Sequence, residues 1–350
     1  MTRYKLSEIC KIVSGSTPKT NVPEYWDGEN VWITPAEITD KTFIVYDSQR
    51  KLSNLGVEKT HLSSFPKGTV MLSSRAPIGK VAIAGVEMFC NQGFKNLICS
   101  EKIMNEYLYW FLKGKTKYLN SLGRGATFKE LSAKIIGNIE LEVPSIQEQK
   151  EVVIRLRKID QIIGVFKREV ELLDELIKAR FVEMFGEIED CDKWESKIWN
   201  EVVTIKNGRD YKKVLVSDGG YPVVGTGGEI ARASKYLCPE NTIVVGRKGS
   251  INNPMLMKEK FWNVDTAFGV IPNSDYLHYQ YFYYFCKFYN FMKLNKATTL
   301  PSTTKADLLK IRINIPPLEL QNQFASFVEE IDKSRLLSNH SLFLIKSLIF

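Results

Sequence analysis

Two stretches of this 350-residue chain carry apolar residues at a coiled-coil spacing. In the first, Val152, Leu156, Ile159, Ile163, Phe166, Val170, Leu173 and Ile177 follow one another in steps of four and three. That heptad seam predicts a helix of about 39 residues, Gln147–Phe185, roughly 58 Å long at 1.5 Å per residue. In the second stretch Phe324, Val328, Ile331, Leu342, Ile345 and Ile349 keep the same spacing. Arg335 and Ser338 interrupt it, with Leu336 and Leu337 beside them, so the register of the middle stays open. A narrow apolar stripe is not stable alone in water. The two helices can cover each other as an antiparallel pair; self-association between chains is the other possibility.

The rest of the chain has a different pattern. Short β-branched runs at Thr69–Ser73, Val81–Ala84, Asn96–Cys99, Ile139–Val143, Thr242–Gly246, Gly269–Ile271 and Ile311–Ile315 predict strands. Aromatic-rich segments at Met104–Leu122 and His278–Leu294 predict one longer helix on each side. Their rings suit core packing, with stacking on bases as the alternative.

These features recur once along the chain. IELEVPSIQEQ (139–149) matches IRINIPPLELQ (311–321), so that Pro144 and Gln149 fall on Pro316 and Gln321, an offset of 172. The same offset carries Asp160 to Asp332, Thr127 to Thr299 and Arg75 to Arg247, whereas Ser14-Gly15 resembles Asn207-Gly208 at another offset. The chain therefore reads as two diverged copies of one unit, each a mixed lobe followed by a helix. The predicted architecture is α+β: two strand-rich α/β lobes, 1–145 and 187–317, separated by helical regions 146–186 and 318–350 that form an antiparallel coiled coil with internal pseudo-two-fold symmetry.

Charge sharpens the picture. The net charge of +8 divides into +5 over residues 1–146, −2 over 147–189, +6 over 190–317 and −1 over 318–350. Two basic lobes on near-neutral connectors suit a polyanion held in two places. The cation candidates are Arg75, Lys80, Arg124 and Lys129 in the first lobe and Arg247, Lys248, Lys296 and Lys305 in the second. They sit at strand-to-glycine turns and in small-residue loops, where a guanidinium, or an ammonium, can reach a phosphate or a base edge. Bonding to nearby carbonyls, or plain solvation, is the competing role.

Catalytic signatures are missing. Ser74–Lys80 lacks the leading glycine of a phosphate-binding loop, and GTGGEI (225–230) reads as a turn. Asn314-Ile315-Pro316-Pro317-Leu318 departs from the Asn/Asp-Pro-Pro-aromatic motif of an amino-methyltransferase and reads as a strand end before a proline-started helix. Six scattered cysteines and three histidines offer no metal-ligand spacing. The expectation is no catalytic residue, no metal and no cofactor in this chain. With no membrane span or secretory signal visible, cytoplasmic location and reduced thiols are expected.

Several strings resemble one family. YWDGENVWITPAEI (25–38), SSRAPIGKVAI (73–83) and NQGFKNL (91–97) in the first lobe are similar to the specificity subunit of type I restriction–modification systems. So are VGRKGSINNP (245–254), FWNVDTAFGV (261–270) and LPSTTKADLLKIRINIPPLELQNQF (300–324) in the second. The resemblance spans nearly the whole chain. It implies two target recognition domains that each read half of an asymmetric, bipartite site in double-stranded DNA. It also implies helices that set the spacer and dock two modification subunits using S-adenosylmethionine. Two restriction subunits using ATP and magnesium would complete a phage-defence complex that methylates adenine and cleaves DNA. The second helix stops about seven residues short of the first copy's Phe181–Phe185. The alternative function is a DNA-binding coiled-coil tether with no methyltransferase partner.

Overall fold

A computed structural model of the chain describes residues 2–125, 129–188, 193–295 and 299–349, with side chains in the last helix as far as Ile345. Lys296, Thr127 and Cys191 lie outside the described residues, as does the side chain of Ile349. The chain divides into two compact units, residues 1–165 with 343–350 and residues 166–342.

The first lobe runs β1 (Thr2–Lys5), α1 (Leu6–Ile9), β2 (Cys10–Ser14), β3 (Trp26–Ile33), β4 (Ile44–Val45), β5 (Arg50–Leu52), α2 (Asn54–Thr60), β6 (Val70–Ser73), β7 (Val81–Ala84), β8 (Phe89–Cys90) and β9 (Phe94–Cys99). It continues through α3 (Asn105–Gly114), α4 (Thr116–Leu122), α5 (Ala133–Gly137) and β10 (Glu140–Val143) into the long α6 (Ile146–Phe185). The second lobe runs β11 (Ser196–Ile198), α7 (Trp199–Val202), β12 (Val203–Asn207), β13 (Leu215–Val216), β14 (Tyr221–Gly225), β15 (Gly228–Ala233), β16 (Thr242–Gly246), β17 (Met255–Met257), β18 (Trp262–Asn263) and β19 (Ala267–Pro272). Then come α8 (Tyr279–Phe288), α9 (Lys305–Leu308), β20 (Arg312–Asn314) and α10 (Leu318–Ile349).

Sheet topology confirms the duplication. The order β2-β9-β6-β7-β4 in the first lobe matches β12-β19-β16-β17 in the second, and β3 pairs with β8 in parallel as β14 does with β18. The two-stranded pairs β1–β10 and β11–β20 close each lobe in the same way. GTGGEI is the turn of the β14–β15 hairpin, with Gly225 opposite Gly228.

Glycine explains why Ser14-Gly15 and Asn207-Gly208 recur. A Cβ on Gly15 would lie 2.1 Å from the Asn91 carbonyl oxygen, and one on Gly208 1.8 Å from that of Val264. Only glycine lets the chain leaving β2 or β12 run this close to the neighbouring sheet. There Ser16 N–H donates to Cys90 O at 2.9 Å and Arg209 N–H to Asn263 O at 3.0 Å. An indole N–H then bonds the same segment in each lobe, Trp32 to Ser16 O and Trp262 to Arg209 O.

The glutamine that recurs in the repeat clamps each long helix to its own lobe. Gln149 Nε2 donates to the Pro144 and Lys102 carbonyls, and its Oε1 accepts from Met104 N–H. Gln321 bonds the Pro316 and Tyr276 carbonyls and His278 N–H in the same pattern. Both side chains are fully buried. An apolar replacement would leave two buried carbonyls and a buried N–H without partners, a cost of roughly 1–3 kcal/mol for each group.

The two aromatic helices are shorter than their sequence pattern predicts. The segment Met104–Leu122 breaks at Lys115, whose φ of −106° and ψ of 15° leave the helical region after Gly114. In the second lobe α8 stops at Phe288; Tyr289 is extended, and the Asn290 side chain caps a separate turn at Phe291–Leu294. In both cases local backbone geometry overrides an apolar run.

Within the second unit the long helices run antiparallel. Asp174 bonds Arg335 at 2.8 Å, the Arg180 guanidinium lies over Phe327, and Phe181 and Phe185 both meet the Phe324 ring. Rising numbers on one helix meet falling numbers on the other. The polar middle of the second seam is in register after all: Ser338 is 4% exposed and Arg335 partly buried, whereas Leu336 and Leu337 are 71% and 70% exposed. Arg335 keeps its place because Asp174 and Asp332 both bond it.

The first seam needs a correction at its start. Val152 is 36% exposed while Val153 is 4% exposed. Here α6 still lies against α3 of its own lobe, held by Arg157 on Glu106 and Lys113 near Asp160, and that geometry turns Val153 inward. From Leu156 to Leu173 the seam residues are partly buried, and Ile177 is fully buried. In the second helix Phe324, Val328 and Leu342 are buried, with Ile331 and Ile345 partly so.

Candidate nucleic-acid interface

Each lobe has a polar cavity at the same place in its fold. In the first lobe it has a volume of 710 Å³ and is bounded by Ser14 at the end of β2, Lys95 on β9, Arg124, Glu130 and the start of α5. In the second it has 570 Å³ and is bounded by Asn207 and Gly208 after β12, Phe268 on β19, Arg247, Lys248 and Ser302–Lys305 at the start of α9. The ladders prove the correspondence: Ser14 faces Lys95 across β2 and β9, and Asn207 faces Phe268 across β12 and β19.

That register also corrects the sequence alignment of the cations. Ser73 faces Phe94, and Gly246 faces Ala267, so the offset here is 173. Ser74 N–H donates to Gly93 O as Arg247 N–H donates to Thr266 O. Arg247 therefore stands where the first lobe has Ser74, and Lys248 is the counterpart of Arg75. One additional residue before the second turn shifts the register, and only the backbone bonds reveal it.

The candidates have different surroundings. Arg75 approaches Glu130 at 3.9 Å and borders an adjoining cavity of 450 Å³ with Pro35, Asn91 and Gly93. Lys80 is tied down, its Nζ donating to Pro35 O at 2.8 Å. Arg124 is exposed on the cavity wall and bridges to Glu130 through its backbone; Lys129 is exposed and lines neither cavity. Arg247 reaches Asp265 O at 3.4 Å and lies over the Phe268 ring. Lys305 donates to Ile205 O at 3.0 Å, and Lys248 is exposed beside Ser302. The structure thus gathers Arg75 and Arg124 around one cavity pair, and Arg247, Lys248 and Lys305 around the other.

Two residues at this place were not singled out from the sequence. The Lys95 side chain is only 10% exposed, yet its ammonium has loose contacts, Glu130 at 3.7 Å and Phe94 O at 3.5 Å. Glu130 borders both first-lobe cavities and faces both Arg75 and Lys95. A lysine inside a strand carries no local signal of function; the place of Phe268 in the second lobe identifies it. Chemically, donors on rims of open cavities can hold phosphate and read acceptor edges, while Glu130 can accept from an exocyclic amine. Among the described residues no cluster of potential metal ligands occurs.

A duplicated α+β lobe with a basic cavity in each copy, and a helix after each lobe, defines a tandem-repeat protein with two equivalent basic sites. A family model described as the type I restriction modification DNA specificity domain matches residues 1–173 and again 191–345. The type I restriction enzyme MjaIX specificity subunit of Methanocaldococcus jannaschii is 28% identical, with 98% of this chain and 89% of the relative covered. A type I restriction–modification S subunit from M. genitalium shares the fold at a TM-score of 0.58 and 15% identity, over 99% of this chain and 93% of that one. A chain from a structural study of type I system assembly and conformational transition also has a TM-score of 0.58, at 16% identity and with 99% and 95% covered. The chain belongs to the type I restriction–modification DNA specificity family, and its function is DNA sequence recognition within such a system. The strings that carry the resemblance to this family supply much of both cavity walls, among them Pro35, Arg75, Asn91, Lys95, Arg247, Phe268 and Thr304.

Proposed function

We propose that the chain is the non-catalytic specificity subunit of a type I complex in which each lobe reads one half of an asymmetric, bipartite DNA site. The observation that carries this reading is the recurrence of one basic cavity at one topological position in both copies of the domain. Arg75 and Arg124 serve the first half-site, and Arg247, Lys248 and Lys305 the second. The helices hold the half-sites at a fixed spacing. Two modification subunits bring S-adenosylmethionine and methylate adenine; two restriction subunits bring ATP and magnesium and cleave. The assembly works in the cytoplasm. No helix among the described residues is long and apolar enough to cross a membrane, which is compatible with that placement.

Exchange of residues 190–310 for those of a relative tests the reading. Methylation mapping is expected to find a hybrid target in which one half-site changes and the other stays. An unchanged methylated sequence would refute independent half-site reading. DNA left unmethylated by a complex that assembles normally would count against the subunit's guiding role.

A further inference from the structure

The first cavity holds an ammonium and a carboxylate that face each other across a gap too long for a hydrogen bond. The Lys95 side chain is only 10% exposed, and its Nζ lies 3.7 Å from Glu130 Oε1 and 3.5 Å from Phe94 O. Burial strips water from the ammonium, and contacts this long return little of that cost. The backbone fixes Glu130 in place. Its N–H donates to Arg124 O at 2.9 Å, Arg124 N–H donates back to Glu130 O at 3.1 Å, and Leu131 N–H donates to Ser74 O. Its carboxylate stays open to the cavity, with the side chain 43% exposed.

The second lobe has the same backbone here and none of this chemistry. Thr303 N–H bonds Arg247 O as Leu131 N–H bonds Ser74 O, which sets Ser302 at the place of Glu130. Phe268 faces Asn207 as Lys95 faces Ser14, so a ring stands at the place of the ammonium. The rim cation, in contrast, is kept, as Arg75 in one lobe and Lys248 in the other. Chemistry kept in both lobes serves what two half-sites share, the phosphate backbone. Chemistry that differs serves what distinguishes them, the base edges.

We propose that Lys95 and Glu130 are the specificity-determining pair of the first lobe and read one G·C base pair from its major-groove edge. The proposal rests on the reading of this cavity as a DNA site. On that edge guanine offers N7 and O6 as acceptors, and the cytosine beside it offers the N4 amine as donor. The Lys95 ammonium has three hydrogens and can serve both guanine acceptors, while Glu130 accepts from the amine. Entry of the base pair exchanges a 3.7 Å ion pair for charge-assisted hydrogen bonds on both side chains. An A·T pair sets its amine between two acceptors. A carboxylate on that amine then faces an acceptor on each side, and one lysine covers only one of them. Phe268 offers no donor, so the second half-site is read without this contact.

The test uses the assembled complex and duplexes of the target mapped from its own methylation. At one position of the first half-site, exchange of G·C for A·T should weaken binding about tenfold, which corresponds to about 1.4 kcal/mol. There 7-deazaguanine, which lacks the N7 acceptor, should weaken the parent but not Lys95→Met. N4-methylcytosine, which sets a methyl in place of the groove-facing amine hydrogen, should weaken the parent but not Glu130→Ser. Neither variant should alter discrimination in the second half-site, which a loss of folding would. The analogue measurements on the parent need no variant. A first half-site with no G·C pair sensitive to both analogues overturns the proposal, as does equal analogue sensitivity in parent and variants. If the variants lower affinity for every sequence alike, the cavity meets DNA without reading it there, and this proposal alone falls. If they leave all binding unchanged, the cavity lies outside the interface, and the assignment of the first half-site falls with it.

Discussion

The two lobes have one topology and one cavity, but they neutralise its charge in opposite ways. In the first, Glu130 lies within 4 Å of both Arg75 and Lys95, so an internal carboxylate already faces the cations. In the second, Ser302 takes the place of Glu130, because Thr303 N–H bonds Arg247 O as Leu131 N–H bonds Ser74 O, and Phe268 takes that of Lys95; among the described residues no carboxylate lines the cavity. Arg247 and Lys305 lean on backbone carbonyls instead. A duplicated scaffold thus keeps its backbone bonds while the chemistry of its cavity walls diverges. The same holds for the aromatic helices, one buried under α6 and the other half open. Backbone ladders and glutamine clamps tolerate little change; cavity walls and outer helix faces tolerate much.

The largest expected effect tests the buried side of that contrast. Phe181→Ala removes a ring that meets four others and is 2% exposed, and should destabilise the second unit by about 3–5 kcal/mol. Hydrogen exchange read residue by residue should find the loss in α8 and α10 and leave β2, β6 and β9 protected. Equal loss in both units would show that they do not unfold separately.

A smaller effect follows from exchanging the charge pattern. Ser302→Glu should weaken DNA binding by the assembled complex about tenfold at moderate salt and flatten its salt dependence, because a carboxylate then occupies the second cavity. Glu130→Ser should strengthen non-specific binding several-fold by freeing Arg75 and Lys95. Binding isotherms over a range of salt decide this, and an unchanged slope in both variants would remove the cavities from the DNA interface.

The smallest concerns a cap that only the second lobe titrates. His278 caps α8 by accepting from Gln280 N–H, where the first lobe has Met104. Burial holds the imidazole below its ordinary range, outweighing the opposing pull of Glu329. A folded-state value below the unfolded one means that the neutral form is favoured in the native protein. Its contribution is present above the unfolded value near pH 6.5 and is lost as pH falls through the lower folded value. His278→Asn keeps a cap without the titration, so its melting temperature should decline less between pH 7 and pH 5. Parallel declines would mean that other groups account for the acid sensitivity.

Much of the fold is legible in the order of residues. The heptad steps from Leu156 to Ile177 place the long helix to within one residue, since a 3.5-residue period is the mark of a helix packed along one narrow stripe. Pro144/Pro316 and Gln149/Gln321 mark the repeat, although nothing local in a glutamine says that it bonds two carbonyls and an N–H across 45 residues. Leu336 and Leu337 mislead, because apolar residues beside a polar interruption invite a shifted register, whereas the Asp174 and Asp332 carboxylates make an arginine acceptable on the seam. Two-residue strands such as β8 and β18 are invisible: each exists only through its parallel neighbour.

The sequence by itself determined the duplication, the helical rods and the two basic blocks, because periodicity, repeat offset and charge are properties of the order of residues. Tertiary structure decided which cations share a cavity, that Lys248 and not Arg247 answers to Arg75, that Lys95 and Glu130 belong to the site, and which aromatic face stays open. Those depend on hydrogen-bond register and burial between residues far apart in the chain. A single inserted position can move a side chain to a new partner while leaving the local pattern almost unchanged.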